Sequence, residues 1–352
     1  MIKSGMIPVL AAALFSAGLS YAASPLDLEY KNIEWKADRT EGTLVLSDSP
    51  EYADRTGILA EGTIDGKGRI YYYHVNSTGE KARLVAYAVS QNKTRVEVTK
   101  FLQGVPSTDY VTSGASLSYN EMVSVKQKPF VVELAPGKRT ILAEEAPGGL
   151  LPDYLYTGLL EVKTEEPVRF GTALLPMTSD ENLQAELDQA EPLSVDSHEM
   201  RGTFPMAVQR ESKKAWNTDK DGPAAIDFGS GSGHDFYMGM DELDGVQREN
   251  TGDYGMSFTL QVPVKGTKPF RVYLNPMGGV YMGSFRLRQG FLPHYYRTDD
   301  MKYGGRWLGD DTIYDLMDMG LWQPGKTLTI EFIPAGATYF PIRFLFVPEG
   351  SM

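Results

Sequence analysis

The chain is written in short runs of alternating apolar and polar residues, punctuated by turn chemistry. Residues 58–75 read ILAEGTIDGKGRIYYYHV. Asp65-Gly66 stands between two strand-like runs and predicts a hairpin. Successive side chains of a strand point to opposite sides. In the second run, Ile70, Tyr72 and His74 therefore share one face, and Tyr71, Tyr73 and Val75 share the other. Both faces are bulky, which places this run inside a sandwich and not at its edge. Residues 81–89 and 94–101 alternate again. Residues 130–134 and 140–143 flank Ala135-Pro136-Gly137-Lys138, and residues 159–162 and 168–175 flank Glu165-Glu166-Pro167.

Composition shifts after Glu191-Pro192, and a second β-rich segment starts near Arg201. Strand-like runs follow at 254–264, 269–274, 280–287, 327–333 and 339–347. In the last of these, Ile342, Phe344 and Phe346 fall on one face. Two segments read as helix. One is 110–123, weakened by Gly114. The other is 179–190, where Ser179 or Asp180 can cap an acidic first turn that suits the helix dipole. The pattern predicts an all-β fold with minor helices, built as two packed antiparallel β-sandwich-like domains at 23–195 and 196–352. No fixed-period sequence repeat is visible.

Composition narrows the setting. The 352 residues include 36 glycines, 21 prolines and 20 tyrosines, the signature of a turn-rich β protein, and 42% are hydrophobic, ample for a core. The formal net charge of −12 argues against nucleic acid and against an anionic bilayer, since both need concentrated Lys and Arg. There is no cysteine, which excludes thiol nucleophiles, dithiol redox chemistry and zinc–thiolate sites. Residues 7–19 form an apolar run too short to span a bilayer comfortably, and Ser20-Tyr21-Ala22 follows with small-x-small spacing. Residues 1–22 are expected to be a signal peptide cleaved after Ala22. No later run approaches the ~20 apolar residues of a membrane helix. The mature chain is expected in the periplasm, at the cell surface or secreted.

Candidate chemistry is sparse. The glycine-rich 228–236, FGSGSGHDF, lacks the glycine spacing of a nucleophile elbow around either serine, the third glycine of a dinucleotide loop, and the lysine of a P-loop. It reads as a loop. The four histidines, His74, His198, His234 and His294, show no close metal spacing. Asn217-Thr218-Asp219-Lys220-Asp221-Gly222 matches the opening of a calcium loop, with Asn217, Asp219 and Asp221 as alternating oxygen ligands. Phe228 stands where the bidentate glutamate of an EF-hand belongs. The stretch 294–311 gathers Tyr295, Tyr296, Tyr303 and Trp307 among acids and arginines. Aromatic faces beside carboxylates suit sugar rings and hydroxyls. Paired acids raise glycoside hydrolysis, but chain spacing does not measure the carboxylate separation which that chemistry needs.

Three phrases carry a family likeness: RIYYYHVN at 69–76, LNPMGGVY at 274–281, and IPAG at 333–336 with Pro341-Ile342-Arg343. In them the chain resembles exported β proteins of Firmicutes type that often occur with copper amine oxidase N-terminal-like stalk repeats. The stalk repeat, the topaquinone motif and the copper-ligand histidines are absent here, so the resemblance implies export and β architecture alone. The expectation is a non-catalytic envelope or extracellular binding or structural protein, with an envelope protein or glycan as partner. The alternative is a carbohydrate-binding or carbohydrate-active protein using 294–311. Calcium is the one candidate cofactor.

Overall fold

The computed structural model describes residues 24–123, 127–144, 148–229, 236–298, 307–310 and 312–352. The N-terminal apolar segment, Tyr303, His234 and both serines of FGSGSGHDF lie outside them.

The fold is all-β, with several packed sheets and, among the described residues, two α-helices, α1 (Tyr110–Met122) and α2 (Asp180–Gln189). One layer of the first half runs Gly57–Ile64, Val168–Pro176, Ala82–Val89, Thr140–Glu144. The facing layer runs Lys67–Asn76, Leu155–Thr164, Thr94–Gln103, Phe130–Leu134. With these eight strands counted in chain order, the layers read 1-8-3-6 and 2-7-4-5. The second half repeats the same order. Its first layer runs Ala224–Phe228, Ile342–Pro348, Phe270–Pro276, Met317–Trp322, and its second Ser257–Lys265, Thr327–Phe332, Ser284–Arg288, Pro293–Arg297. Each half is thus an eight-stranded jelly roll.

This topology corrects the hairpin expected at Asp65-Gly66. The chain does reverse there, but the flanking strands pair with different partners, Gly57–Ile64 with Val168–Pro176 and Lys67–Asn76 with Leu155–Thr164. They face each other across the core instead of lying side by side. Gly68 makes the arch feasible, because a Cβ there would meet the Ile64 side chain at 2.4 Å. The turns at 135–139 and 165–167 cross between layers in the same way.

Two further strands join the halves. Arg39–Ser47 runs parallel to Lys67–Asn76, and Arg201–Glu211 runs parallel to Ser257–Lys265. The two pair with each other antiparallel, for example Val45 with Thr203. One long sheet therefore crosses the molecule. An antiparallel pair has a local two-fold axis, so the jelly rolls flanking it are related by an approximate dyad.

The faces follow the alternation. Ile70 and Tyr72 enter the core between the layers of the first jelly roll, while Tyr71, Tyr73 and Val75 enter a second core that continues into the other half. There Phe228 meets Phe258 and Phe332 edge-on, with centroids at 4.7 and 5.1 Å, a favoured geometry for aromatic quadrupoles. Leu183 and Leu187 of α2 cover the outer face of the first four-stranded layer. Leu26, Leu28 and Tyr30 cover the outer face of the sheet containing Ile342–Pro348. Burial pushes the Tyr30 hydroxyl up to about 12. Among the described residues no helix is long and apolar enough to cross a membrane.

Candidate functional site

Connections of a jelly roll alternate between its two ends. In the first half, the connections 77–81, 104–129 and 145–154 leave one end. In the second half, 229–256, 277–283, 298–316 and 333–341 leave the opposite end. Around the dyad these two ends meet. Helix α1, within 104–129, packs against 333–341: Ser118 Oγ donates to the Ile333 carbonyl at 3.2 Å, and a Cβ on Gly114 would meet the Gly336 oxygen at 2.4 Å. The glycine that weakens the helix on propensity is the residue that lets the other half approach.

Three tyrosines surface at this seam from separate segments. Tyr52 is 49% exposed and Tyr339 60%, with Tyr110 half-buried between elements. The Tyr52 and Tyr110 rings sit edge to face with centroids 6.1 Å apart. Burial, then the Glu51 charge, Tyr110 and Tyr339, raises the Tyr52 hydroxyl. Tyr110 Oη donates to the Asp153 carbonyl at 3.1 Å. The rings are held by their backbones. Tyr52 pairs with Val75 in a short parallel strand, Tyr110 opens α1 behind the Asp109 cap, and the Tyr339 amide donates to the Val280 carbonyl at 2.9 Å.

Carboxylates border the rings. The Asp196 carboxylate accepts from Ser49 Oγ at 2.8 Å and from the Glu51 amide at 2.7 Å. Burial pushes Asp196 up, but these bonds and the His198 amide outweigh it and hold the carboxyl below its ordinary value. Burial raises Glu51, against the pull of His198. Beneath the rings lies Asp48, 3% exposed, raised well above the usual carboxylate range by burial and by the Glu51 and Asp196 charges. Burial, then the nearby Asp48, raises the Tyr73 and Tyr254 hydroxyls.

The residues singled out by sequence are dispersed. Tyr295 and Tyr296 are neighbours on Pro293–Arg297 and take opposite faces: Tyr295 is 45% exposed, whereas Tyr296 is 9% exposed and joins the core. His294 stands with its ring 5.2 Å from that of Trp322. Trp307 is half-buried beyond a gap in the described residues, and Tyr303 lies within that gap. At 217–222, Asp219 spends its carboxylate on the Thr267 amide and hydroxyl and the Lys268 amide, at 2.9, 3.1 and 3.2 Å. Asp221 accepts from the Asn217 amide at 2.7 Å, and Asn217 Oδ1 accepts from the Asp219 amide at 3.0 Å. Among the described residues no three His, Asp or Glu side chains gather as a metal-holding group.

Among the described residues one Ser–His pair forms. Ser47 Oγ lies 2.6 Å from His74 Nε2 and 2.6 Å from Thr172 Oγ1, and His74 Nδ1 lies 2.8 Å from the Pro50 carbonyl. The orienting group is a carbonyl, not a carboxylate, and Ser47, His74 and Thr172 are all fully buried. The pair packs the core, in keeping with the strand position of His74. Nothing in the sequence pointed to the seam tyrosines. They come together only through the fold, and each alone is an ordinary tyrosine near a turn.

No family model matches the chain, and no curated protein matches it. Among solved structures, it is similar to the PBSX exported protein XepA, at 12% identity, covering 83% of this chain and 86% of that one, with a TM-score of 0.18. It is also similar to the N-terminal CBM22-1-CBM22-2 tandem domain of Paenibacillus barcinonensis Xyn10C, at 10% identity, covering 90% of each chain, with a TM-score of 0.16.

Proposed function

We propose that this chain is an exported, non-catalytic binding protein of the cell envelope or extracellular space, built as two units dividing near residue 195, and that it holds glycan at the tyrosine seam. The observation that carries the reading is the convergence of Tyr52, Tyr110 and Tyr339 from three segments beside Glu51 and Asp196. A tyrosine offers an apolar ring and a polar tip at low conformational cost, and such residues concentrate binding energy. Carboxylates at the rim accept sugar hydroxyls. A sugar laid across the rings would contact both halves at once, which gives the sealed joint a purpose beyond stability.

The test is retention of the mature chain on immobilised envelope polysaccharide. Tyr52→Ala and Tyr339→Ala remove exposed rings and leave the core intact. Each is expected to weaken retention about tenfold, equivalent to about 1.4 kcal/mol, with an unchanged melting curve. Tyr295→Ala, away from the seam, is expected to bind as wild type. Loss in Tyr295→Ala alone would move the site to 294–311. Retention on envelope protein but not on polysaccharide would replace the glycan by a protein partner.

A further inference from the structure

Two clefts on the molecule differ in how their charges are used. The larger, about 770 Å³, lies on the first jelly roll, and its Glu61, Arg139 and Arg169 are committed to one another. Glu61 accepts from Tyr87 Oη at 2.5 Å and from Arg169 at 3.4 Å, while Arg139 donates to the Leu187 carbonyl at 2.9 Å. The smaller, about 500 Å³, lies on the second jelly roll where Lys31–Asn32 and Trp216–Asn217 pair onto the two sheets. Its wall carries Lys31, Lys213, Lys214, Lys220 and Lys265 against Glu34 and Asp221 alone.

The two acids are already engaged, Glu34 with Lys213 at 3.3 Å and Asp221 with the Asn217 amide. Among the described residues Lys31, Lys214, Lys220 and Lys265 have no carboxylate within ion-pair distance. All five lysines are exposed. Their backbones are fixed: Lys31 is in register with Ala224, Lys265 with Asn217, and the Lys213 amide donates to the Glu34 carbonyl at 2.8 Å. The floor is rigid too, since Trp216 is 5% exposed, wedged edge-on against Phe270, with its indole N–H on the Gly222 carbonyl.

Five like charges in one concavity repel each other, and they do so in a chain whose net charge is −12. The wall carries five lysines and only two acids, an excess of positive charge on an acidic chain. We propose that this cleft is a binding site for a compact, multiply charged oxyanion, a phosphate- or carboxylate-bearing group, free or pendant on a polymer. The cleft has room for such a group, and the surrounding negative charge disfavours a long nucleic acid strand. The lining shares no residue with the tyrosine seam, so this site stands independently of the glycan reading.

Inorganic pyrophosphate, titrated into the full mature chain at low salt, is the first probe, with trigalacturonate as the carboxylate arm and a phosphodiester polymer as the pendant arm. Pyrophosphate is expected to bind, raise the melting temperature, and weaken as salt screens the lysines. In the double variant Lys31→Glu/Lys220→Glu, affinity is expected to fall by more than about tenfold. Lys138→Glu, in the other cleft, is expected to leave it unchanged. Binding of the polymer more tightly than pyrophosphate marks a pendant group, and the reverse marks a free anion. No pyrophosphate binding, or equal binding in the double variant, overturns the proposal. So does a long single-stranded oligonucleotide that binds more than about tenfold tighter than any of the three probes.

Discussion

The two jelly rolls have one strand order and opposite allotments of chain. Four connections of the first half, 65–66, 90–93, 135–139 and 165–167, are short, and their counterparts in the second, 229–256, 277–283, 298–316 and 333–341, are all longer. At the other end the inequality reverses: 77–81, 104–129 and 145–154 outgrow 266–269, 289–292 and 323–326. Each half elaborates the end that the dyad turns towards its neighbour. Loops carry function on a scaffold that strands hold rigid. Here the described parts of the lengthened connections converge on one seam, and that seam holds the exposed tyrosines.

Each half also sends a buried arginine into the other. Arg69 reaches the Gly255 carbonyl at 2.7 Å and pairs with Glu161 at 2.6 Å. Arg201 reaches the Leu59 and Leu193 carbonyls at 3.2 and 2.8 Å and pairs with Asp241, which Arg248 also contacts. Asp241 is fully buried, so the second network is the more completely sealed. Removing one partner of a buried pair strands the other charge away from water. In Arg201→Ala the buried Asp241 keeps Arg248 but loses its other cation, and the largest effect on stability is expected here, a loss of about 3 kcal/mol, measured by urea unfolding. Because one sheet spans the joint, wild type is expected to unfold in one transition. Two resolved transitions in wild type would show that the halves are stable separately and that the dyad is only a contact.

A second test separates the halves by pH. His74, on the first jelly roll, is lowered to about 4 by burial, with the Pro50 carbonyl and Asp196 opposing. The folded state therefore disfavours the proton that the unfolded chain takes near its ordinary 6.5. Between those values the unfolded state binds more protons, so stability is full above about 6.5 and falls as pH drops towards 4. At about 1.4 kcal/mol per unit, the full drop is about 3 kcal/mol. Asp48 acts oppositely, since its raised carboxyl favours the folded state at low pH. The readout is accordingly a difference: His74→Gln is expected to lose stability at neutral pH and to flatten the slope between pH 6.5 and 4. An unchanged slope would place the acid sensitivity elsewhere.

Much of this architecture was legible, and what was not has a physical reason. Alternation placed Tyr71 and Tyr73 opposite Tyr72, and Phe344 opposite Leu345, because period two survives any tertiary context. Turn residues marked where the chain reverses. They could not say whether the flanking strands lie side by side or face to face, since Asp65-Gly66 serves an arch as well as a hairpin and only the Gly68–Ile64 approach decides. The joining strand Arg39–Ser47 was invisible because its first half, RTEG, is exposed and its second, LVLS, is buried without alternation. The repeated topology left no sequence period, because the connections differ in length at every position. The seam tyrosines were hidden for the same reason: their proximity is a property of the dyad.

The smallest expected effect concerns the 217–222 turn, which borders the lysine cleft and is longer than its counterpart in the first jelly roll, the turn after Tyr52–Ala53. A calcium loop and a hydrogen-bonded turn both need Asp219, so loss of stability in Asp219→Ala does not separate them. Metal removal does. As placed, the Asp219 carboxylate is held below its ordinary value first by the Thr267 amide and then by the Thr267 hydroxyl and Lys268. Lys220 and Lys268, beside it, disfavour a second cation. Asp219→Ala is expected to lower the melting temperature slightly by freeing 267–268, and EDTA to leave both proteins unchanged. If EDTA instead lowers wild type to the level of the variant, and calcium restores it, then Asn217, Asp219 and Asp221 exchange their backbone partners for a metal. The second jelly roll would then be stabilised by an ion that the first does without.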